Sequence, residues 1–202
     1  MITKTIPNFN LSQIHCSGQC FRMSELEEGQ YAIIAGSRYL EVRQQGMECT
    51  FFCDESEFES FWRGYFDLDN DYQFYIDKIN PNDRYLTEAA AFGCGIRILR
   101  QDLWEMIVSF LISQQNNIVR IRRCIQNLCE QYGEVCINDK GLIYYAFPQP
   151  EALAGLEEDA LKACNLGYRS NMWFARPEAW FRGMWIWRPY RGCPTKEQGR
   201  SS

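Results

Sequence analysis

The chain has 202 residues, 46% of them hydrophobic and 15% aromatic, which suits one good-sized domain or two small ones sharing an interface and excludes a disordered polymer. Its net charge of −5 argues against a uniformly basic nucleic-acid binder, yet the average hides a split: residues 1–168 carry 14 Lys and Arg against 24 Asp and Glu, whereas 169–202 carry 7 against 2. No stretch approaches the roughly 18 uncharged apolar residues of a spanning helix, and the N-terminus lacks the apolar core of a secretory signal, so a soluble cytoplasmic protein is expected.

Strands come first. Segments 20–23, 31–35, 38–43 and 47–53 are separated by turn signals at Glu28-Gly29, Gly36-Ser37 and Gln45-Gly46 and predict an antiparallel meander. Asp54 with Glu57 forms a capping box, and Phe58, Phe61, Trp62, Tyr65 and Phe66 then recur at helical spacing, predicting a helix packed on that sheet. The acidic run Asp67, Asp69 and Asp71 resembles a calcium loop, but Tyr72 replaces the turn glycine and Lys78 the bidentate glutamate; Asp71 is read instead as a helix cap.

From Leu99 the chain turns helical. Asp102 and Glu105 cap a segment with Leu103, Ile107, Phe110 and Leu111 on one face, and the polar run 113–117 ends it. A second helix carries Ile118, Ile121, Ile125 and Leu128 on one face and stops at Gly133, so two apolar-faced helices flank an amide-rich corner. Pro150 opens a third helical stretch, and 157–164 forms a fourth with Gly167 suited to its left-handed cap.

Ten cysteines contain no C-x-x-C pair, and there is one histidine, so buried or surface thiols are expected rather than a metal site or disulfides. His15 beside Cys16 lacks the third orienting group of a thiolate pair. Arg97, Arg100, Arg120, Arg122 and Arg123 are the candidates for a basic face on the acidic body. Residues 173–202 look unlike the rest, with four tryptophans between 173 and 187 and no sustained period. This aberrant or disordered tail has the composition of a GC-rich coding sequence read in a shifted frame; the alternative is an ordinary basic, aromatic tail that binds a partner or nucleic acid.

Four stretches share one order: Ser17-Gly18-Gln19-Cys20-Phe21-Arg22; 99–105, Leu-Arg-Gln-Asp-Leu-Trp-Glu; 113–120, Ser-Gln-Gln-Asn-Asn-Ile-Val-Arg; and Leu166-Gly167-Tyr168-Arg169. Together they resemble the 8-oxoguanine DNA glycosylases of the helix-hairpin-helix superfamily. The resemblance implies an α+β fold: an N-terminal antiparallel sheet domain with packed helices over 1–96, then an incomplete α-helical glycosylase domain over 97–172. It implies base-excision repair of 8-oxoguanine opposite cytosine with AP-lyase activity, on double-stranded DNA, by a cofactor-free monomer of the bacterial nucleoid.

Residue by residue, Gly18 matches the family glycine whose carbonyl accepts the extra N7 proton of 8-oxoguanine, with Gln19 and Phe21 beside it in the lesion-binding segment. Gln115, Asn116 and Asn117 match the segment that enters the DNA gap, although the family commonly has Asn where this sequence has Gln115. Arg120 and Arg169 match the arginines that recognise the orphaned cytosine, and Tyr168 the aromatic wedge beside it. Without the resemblance, Asn116 and Asn117 read as helix N-caps, the arginines as solvated charges, Gly18 as a turn and Tyr168 as a core residue.

The family's catalytic lysine sits in a Leu-Pro-Gly-Val-Gly-x-Lys-like segment with an aspartate beyond it. No such segment follows Tyr168, and neither Lys196 nor Lys4, Lys78, Lys140 and Lys162 matches it. No catalytic residue is therefore assigned, and the chain is expected to be truncated and catalytically incomplete, with the faces of both corner helices left exposed and stability marginal. A non-catalytic DNA- or protein-binding remnant and a pseudogene product are the alternatives.

Overall fold

The computed structural model describes residues 1–154, 156, 157, 160 and 163–166. The predicted tail at 173–202, the cap at Gly167 and part of the predicted helix at 157–164 lie outside them. The described residues form an α+β fold.

Five antiparallel strands make one sheet: β1 (Ile2–Thr5), β2 (Met23–Glu27), β3 (Gln30–Ala35), β4 (Arg38–Gln45) and β5 (Glu48–Phe51), in the order β1-β5-β4-β3-β2. The tight turns predicted between β2 and β5 let successive strands pair directly. β3 and β4 hold an unbroken register from Gln30 opposite Arg43 to Ala35 opposite Arg38. The strand expected at 20–23 is displaced: the ladder begins at Met23, because 18–22 forms a loop whose polar groups are bonded elsewhere. β1 and helix α1 (Leu11–Cys16) have no counterpart among the predicted elements; both are shorter than the window over which a period becomes legible. Asn10 starts α1 by accepting from the Gln13 N–H at 2.9 Å.

Asp54 likewise accepts from the Glu57 N–H at 2.7 Å and starts a helical run made of α2 (Glu55–Glu57), a π-helical turn (Phe58–Trp62) and α3 (Arg63–Tyr65). Its aromatic stripe lies on the sheet: Phe58, Trp62, Tyr65 and Phe66 are buried with Leu11, Ile14, Leu40, Val42 and Phe51 in the first core. The ring centroids of Phe51 and Phe58 are 4.9 Å apart, and the Trp62 indole N–H is satisfied by Glu57 at 3.0 Å. Asp71 caps α4 (Tyr72–Ile76), as expected. The Asp67 carboxylate is occupied by Asn70, Tyr72 and Arg100. Helix α5 (Arg84–Gly93) was not foreseen and buries none of its residues.

The second core gathers Val108, Ile112, Ile121, Cys124, Ile125, Leu128, Phe147, Leu153 and Leu166. It is built from α6 (Leu103–Ser113), α7 (Ile118–Tyr132), the hairpin β6 (Val135–Ile137) and β7 (Ile143–Tyr145), and α8 (Pro150–Ala154). On α7 the predicted face is buried, apart from Ile118. On α6 the predicted face is wrong. Glu105, Val108, Ser109 and Ile112 point inward, whereas Leu103, Met106 and Phe110 form an exposed stripe. Glu105 lies on the inward face, where it meets the Arg22 guanidinium.

The hairpin loop returns to the sheet. Lys140 donates to the buried Glu41 carboxylate at 2.6 Å, and Gln30 and Tyr39 donate to it at 3.2 Å. The Lys140 hydrogen bond, against the opposing effect of burial, holds the Glu41 carboxyl below its ordinary value. A depressed carboxyl stabilises the fold above the usual carboxylate range, and that contribution is lost as pH falls through the folded value. Lys140→Met should therefore move the acid-unfolding midpoint to higher pH in a circular-dichroism titration; an unmoved midpoint would show the contact to be inert.

Candidate nucleic-acid interface

Helix α1 ends at Ser17, and Gly18 follows with φ +77°, the left-handed region that glycine enters without penalty. A Cβ on Gly18 would meet nothing within 4 Å, so backbone conformation alone, and not crowding, calls for glycine. Gln19 anchors the loop. Its amide donates to Ser17 Oγ at 3.0 Å and to the Arg97 carbonyl at 2.9 Å, and accepts from the Leu99 N–H at 2.9 Å. Gln101 donates back to the Gln19 carbonyl at 2.5 Å. Gln19 thus spends its side chain on the backbone of 97–99, and Phe21 packs half-buried against the second core.

Arg22 and Glu105 close this seam. Their charged groups approach to 3.6 Å with side chains only 7% and 9% exposed. Arg22 also donates to the carbonyls of Gly36 and Tyr145, and the other Glu105 oxygen accepts from the Gly36 N–H at 3.2 Å. Asp102 caps α6 as predicted, at 2.9 Å from the Glu105 N–H, but the Glu105 carboxylate serves Arg22 and Gly36. Burial pushes the Glu105 carboxyl above its ordinary value, with Arg22 opposing. The sign is opposite to that of Glu41: its contribution to stability is full below the usual carboxylate range and declines as pH rises through the raised value. Arg22 and Glu105 are the last residues of the first two motifs. Sequence reasoning missed their pairing, although the opposite charges that end the two motifs were its available signal.

The corner between α6 and α7 is built by its own amides. Asn116 donates to the Ile112 carbonyl at 3.0 Å and accepts from the Asn117 N–H at 3.1 Å, while Asn117 caps α7 by accepting from the Arg120 N–H at 2.9 Å. Gln115 is exposed at the tip with φ +49°. A left-handed conformation costs an L-residue about 1 kcal/mol or more and suits Asn better than Gln. The backbone at this position therefore favours the residue the family commonly carries.

The five arginines do not share one role. Arg97 is buried and holds four backbone carbonyls. Arg100 pairs with Asp67 at 3.0 Å. Arg120 and Arg123 are exposed and line a 490 Å³ pocket with Asn117, Val119, Cys124 and Asn165. Arg122 lies against His15, 3.4 Å between nitrogens. That contact brings the end of α1, just before Gly18, beside α7 just after Arg120. Burial first, then the Arg122 charge, lowers the His15 pKa. Stability linked to neutral His15 is present above the ordinary imidazole range and lost as pH falls through the lowered value. Tyr168 and Arg169, expected to complete the surface, lie outside the described residues, as does Lys196. The nine described cysteines form no disulfide, and among the described residues no cluster of His, Cys, Asp and Glu suits a metal ion. No helix among them is long and apolar enough to cross a membrane.

Residues 1–107 match the family model of the 8-oxoguanine DNA glycosylase N-terminal domain, and 108–172 match that of the HhH-GPD superfamily base excision DNA repair proteins. The chain belongs to the 8-oxoguanine DNA glycosylase family. An N-glycosylase/DNA lyase of Saccharomyces cerevisiae is 35% identical over 108 residues, 52% of this chain and 28% of the yeast protein. The apo crystal structure of the Clostridium acetobutylicum 8-oxoguanine glycosylase/lyase is similar at a TM-score of 0.82 and 36% identity, covering 90% of this chain and 63% of that one. The same clostridial enzyme in complex with double-stranded DNA containing cytosine opposite 8-oxoguanine gives 0.81 and 37%, covering 88% and 61%. The chain spans less than two thirds of the length of each of these relatives. The two family models meet within α6, so that one helix contributes Glu105 to the sheet-side seam and Val108 to the second core.

Proposed function

We propose that this chain serves base-excision repair by recognising 8-oxoguanine opposite cytosine in double-stranded DNA, while the N-glycosylase and AP-lyase chemistry of its family depends on a lysine-bearing segment that none of its own lysines matches. The observation that carries the reading is the seam between motifs 17–22 and 99–105, which sets the Gly18 loop beside the helix leading to the amide corner. In this reading the sheet domain covers 1–96 and the helical domain 97–172. The Gly18 carbonyl meets the N7 proton of the everted base, with Gln19 and Phe21 fixing the loop. Gln115, Asn116 and Asn117 enter the gap, Arg120 and Arg169 recognise the orphaned cytosine, and Tyr168 wedges beside it. Arginine suits the acceptor edge of that base because its guanidinium presents several donors in a rigid fork. The protein acts as a monomer on nucleoid DNA.

Fluorescence anisotropy with an 8-oxoguanine:cytosine duplex and its guanine:cytosine control tests the reading. Tighter binding of the lesion duplex is expected, and equal affinities would sink it. Arg120→Ala should weaken lesion binding by about 1–3 kcal/mol and flatten the preference for cytosine over adenine opposite the lesion. Gly18→Ala should fold, because its Cβ has space, yet lose most of the lesion preference as the loop leaves φ +77°. Borohydride trapping then separates excision from binding alone, since only a Schiff-base intermediate becomes covalently fixed.

A further inference from the structure

We propose that Arg22 and Glu105 are a positioning pair that holds the Gly18 loop and the α6–α7 corner in one fixed register. The inference rests on the DNA-binding reading above and adds to it two residues that touch neither base.

The geometry is that of a clasp rather than a lone ion pair. Gly36, at the turn between β3 and β4, is gripped on both sides: its N–H donates to Glu105 and its carbonyl accepts from Arg22 and from the Phe147 N–H. Arg22 reaches on to the Tyr145 carbonyl and lies 5.9 Å from the centre of the Phe147 ring. One guanidinium and one carboxylate therefore join four elements: the lesion-facing loop, the β3–β4 turn, the end of the β6–β7 hairpin and helix α6. Arg22 follows Gly18 by four residues, and Glu105 lies two helical turns before Ser113, where the corner begins. A rigid helix transmits an angular error at one end as a displacement at the other, so a small rotation at Glu105 misplaces Gln115 and Asn117 relative to Gly18. Both charges are buried, which makes the pair intolerant of intermediate positions. A partner moved aside leaves an unpaired charge in a dry site.

Removing both charges together avoids that penalty and separates positioning from stability. The decisive variant is Arg22→Met with Glu105→Met, in the full chain. Glu105→Gln is the second, because it keeps an acceptor for the Gly36 N–H and leaves Arg22 its two carbonyls. Amide hydrogen exchange without DNA is the first readout: peptides covering 17–22 and 113–117 should both exchange faster in the variants, although they belong to different modules. Lesion preference is the second, as the ratio of affinities for the 8-oxoguanine:cytosine and guanine:cytosine duplexes. It should fall by roughly tenfold or more, with binding to the undamaged duplex held close to wild type.

Faster exchange confined to one of the two peptides, or to neither, overturns the proposal. So does a preserved lesion preference in a folded variant. If the wild type itself shows no lesion preference, the functional reading fails while the exchange experiment still decides whether the clasp couples loop and corner.

Discussion

Gly133→Ala is expected to unfold the helical half of the protein at moderate temperature. Gly133 terminates α7, and a Cβ there would lie 2.1 Å from the Ala146 carbonyl oxygen and 2.5 Å from that of Cys129. Neither obstacle is a flexible side-chain tip. The Cys129 carbonyl already accepts from the Gly133 N–H at 2.8 Å, and Ala146 is tied to Glu134 through its own N–H at 2.8 Å. Moving Ala146 would drag Phe147, which is buried in the second core and bonded to Gly36 on the sheet. Overpacking against rigid backbone costs about 3 kcal/mol or more, and for a chain of this size each kcal/mol lowers Tm by roughly 2–4 °C. Gly64→Ala is the control, since Gly64 is helical and its Cβ would meet nothing within 4 Å. It should hold or raise Tm slightly, by way of helix propensity. A Gly133→Ala protein that melts with wild type would mean that the α7–hairpin junction is far more pliant than its packing implies.

The parts of this fold written in local pattern were legible, and the parts decided by distant partners were not. Turn chemistry located the meander, and short acidic or amide side chains at 54, 71, 102 and 117 marked helix starts that the structure reproduces. The inward face of α6 was misread because periodicity ranks Leu103 and Phe110 above Glu105, whose buried guanidinium partner lies some 80 residues earlier in the chain and is invisible to a local pattern. Segment 20–23 has the composition of a strand, but its neighbour Gln19 and its own Arg22 are committed to 97–99 and to Glu105, so the ladder starts later. In the candidate site the motifs were visible as strings, but their mutual contact was not. Gln19 and Gln101 meet across the seam, and no local property of either stretch announces it. Asn117 carries the N-cap role its type suggests, whereas Asn116 instead donates to the Ile112 carbonyl at the end of α6.

Arg97→Met should produce the other large loss, and it tests whether a charged group can be the structural centre of the sheet half. Arg97 is 3% exposed. Its guanidinium donates to the carbonyls of Asp67 at 2.8 Å, Pro7 at 3.0 Å, Asn8 at 3.1 Å and Asn70 at 3.1 Å, and stacks 4.5 Å from the centre of the Tyr72 ring. Two of those residues, Asn8 and Asp67, hold positive φ, at 49° and 54°. Such conformations persist only where the surroundings fix them, and here one side chain clamps both. Methionine fills much of the volume but leaves the carbonyls without their donor. Hydrogen bonds to a charged group are each worth about 1.5–3 kcal/mol, so a loss of roughly 3–5 kcal/mol is expected even after partial rehydration. Arg97→Lys should recover only part of it, because an ammonium has three donors and no planar fork to span four acceptors. The loss should also reach the Gly18 loop, since the Arg97 carbonyl accepts from Gln19. Urea unfolding decides the matter: a Met variant within about 1 kcal/mol of wild type, the net worth of one ordinary hydrogen bond, would show that the carbonyls around Arg97 find other donors and that the clamp is dispensable.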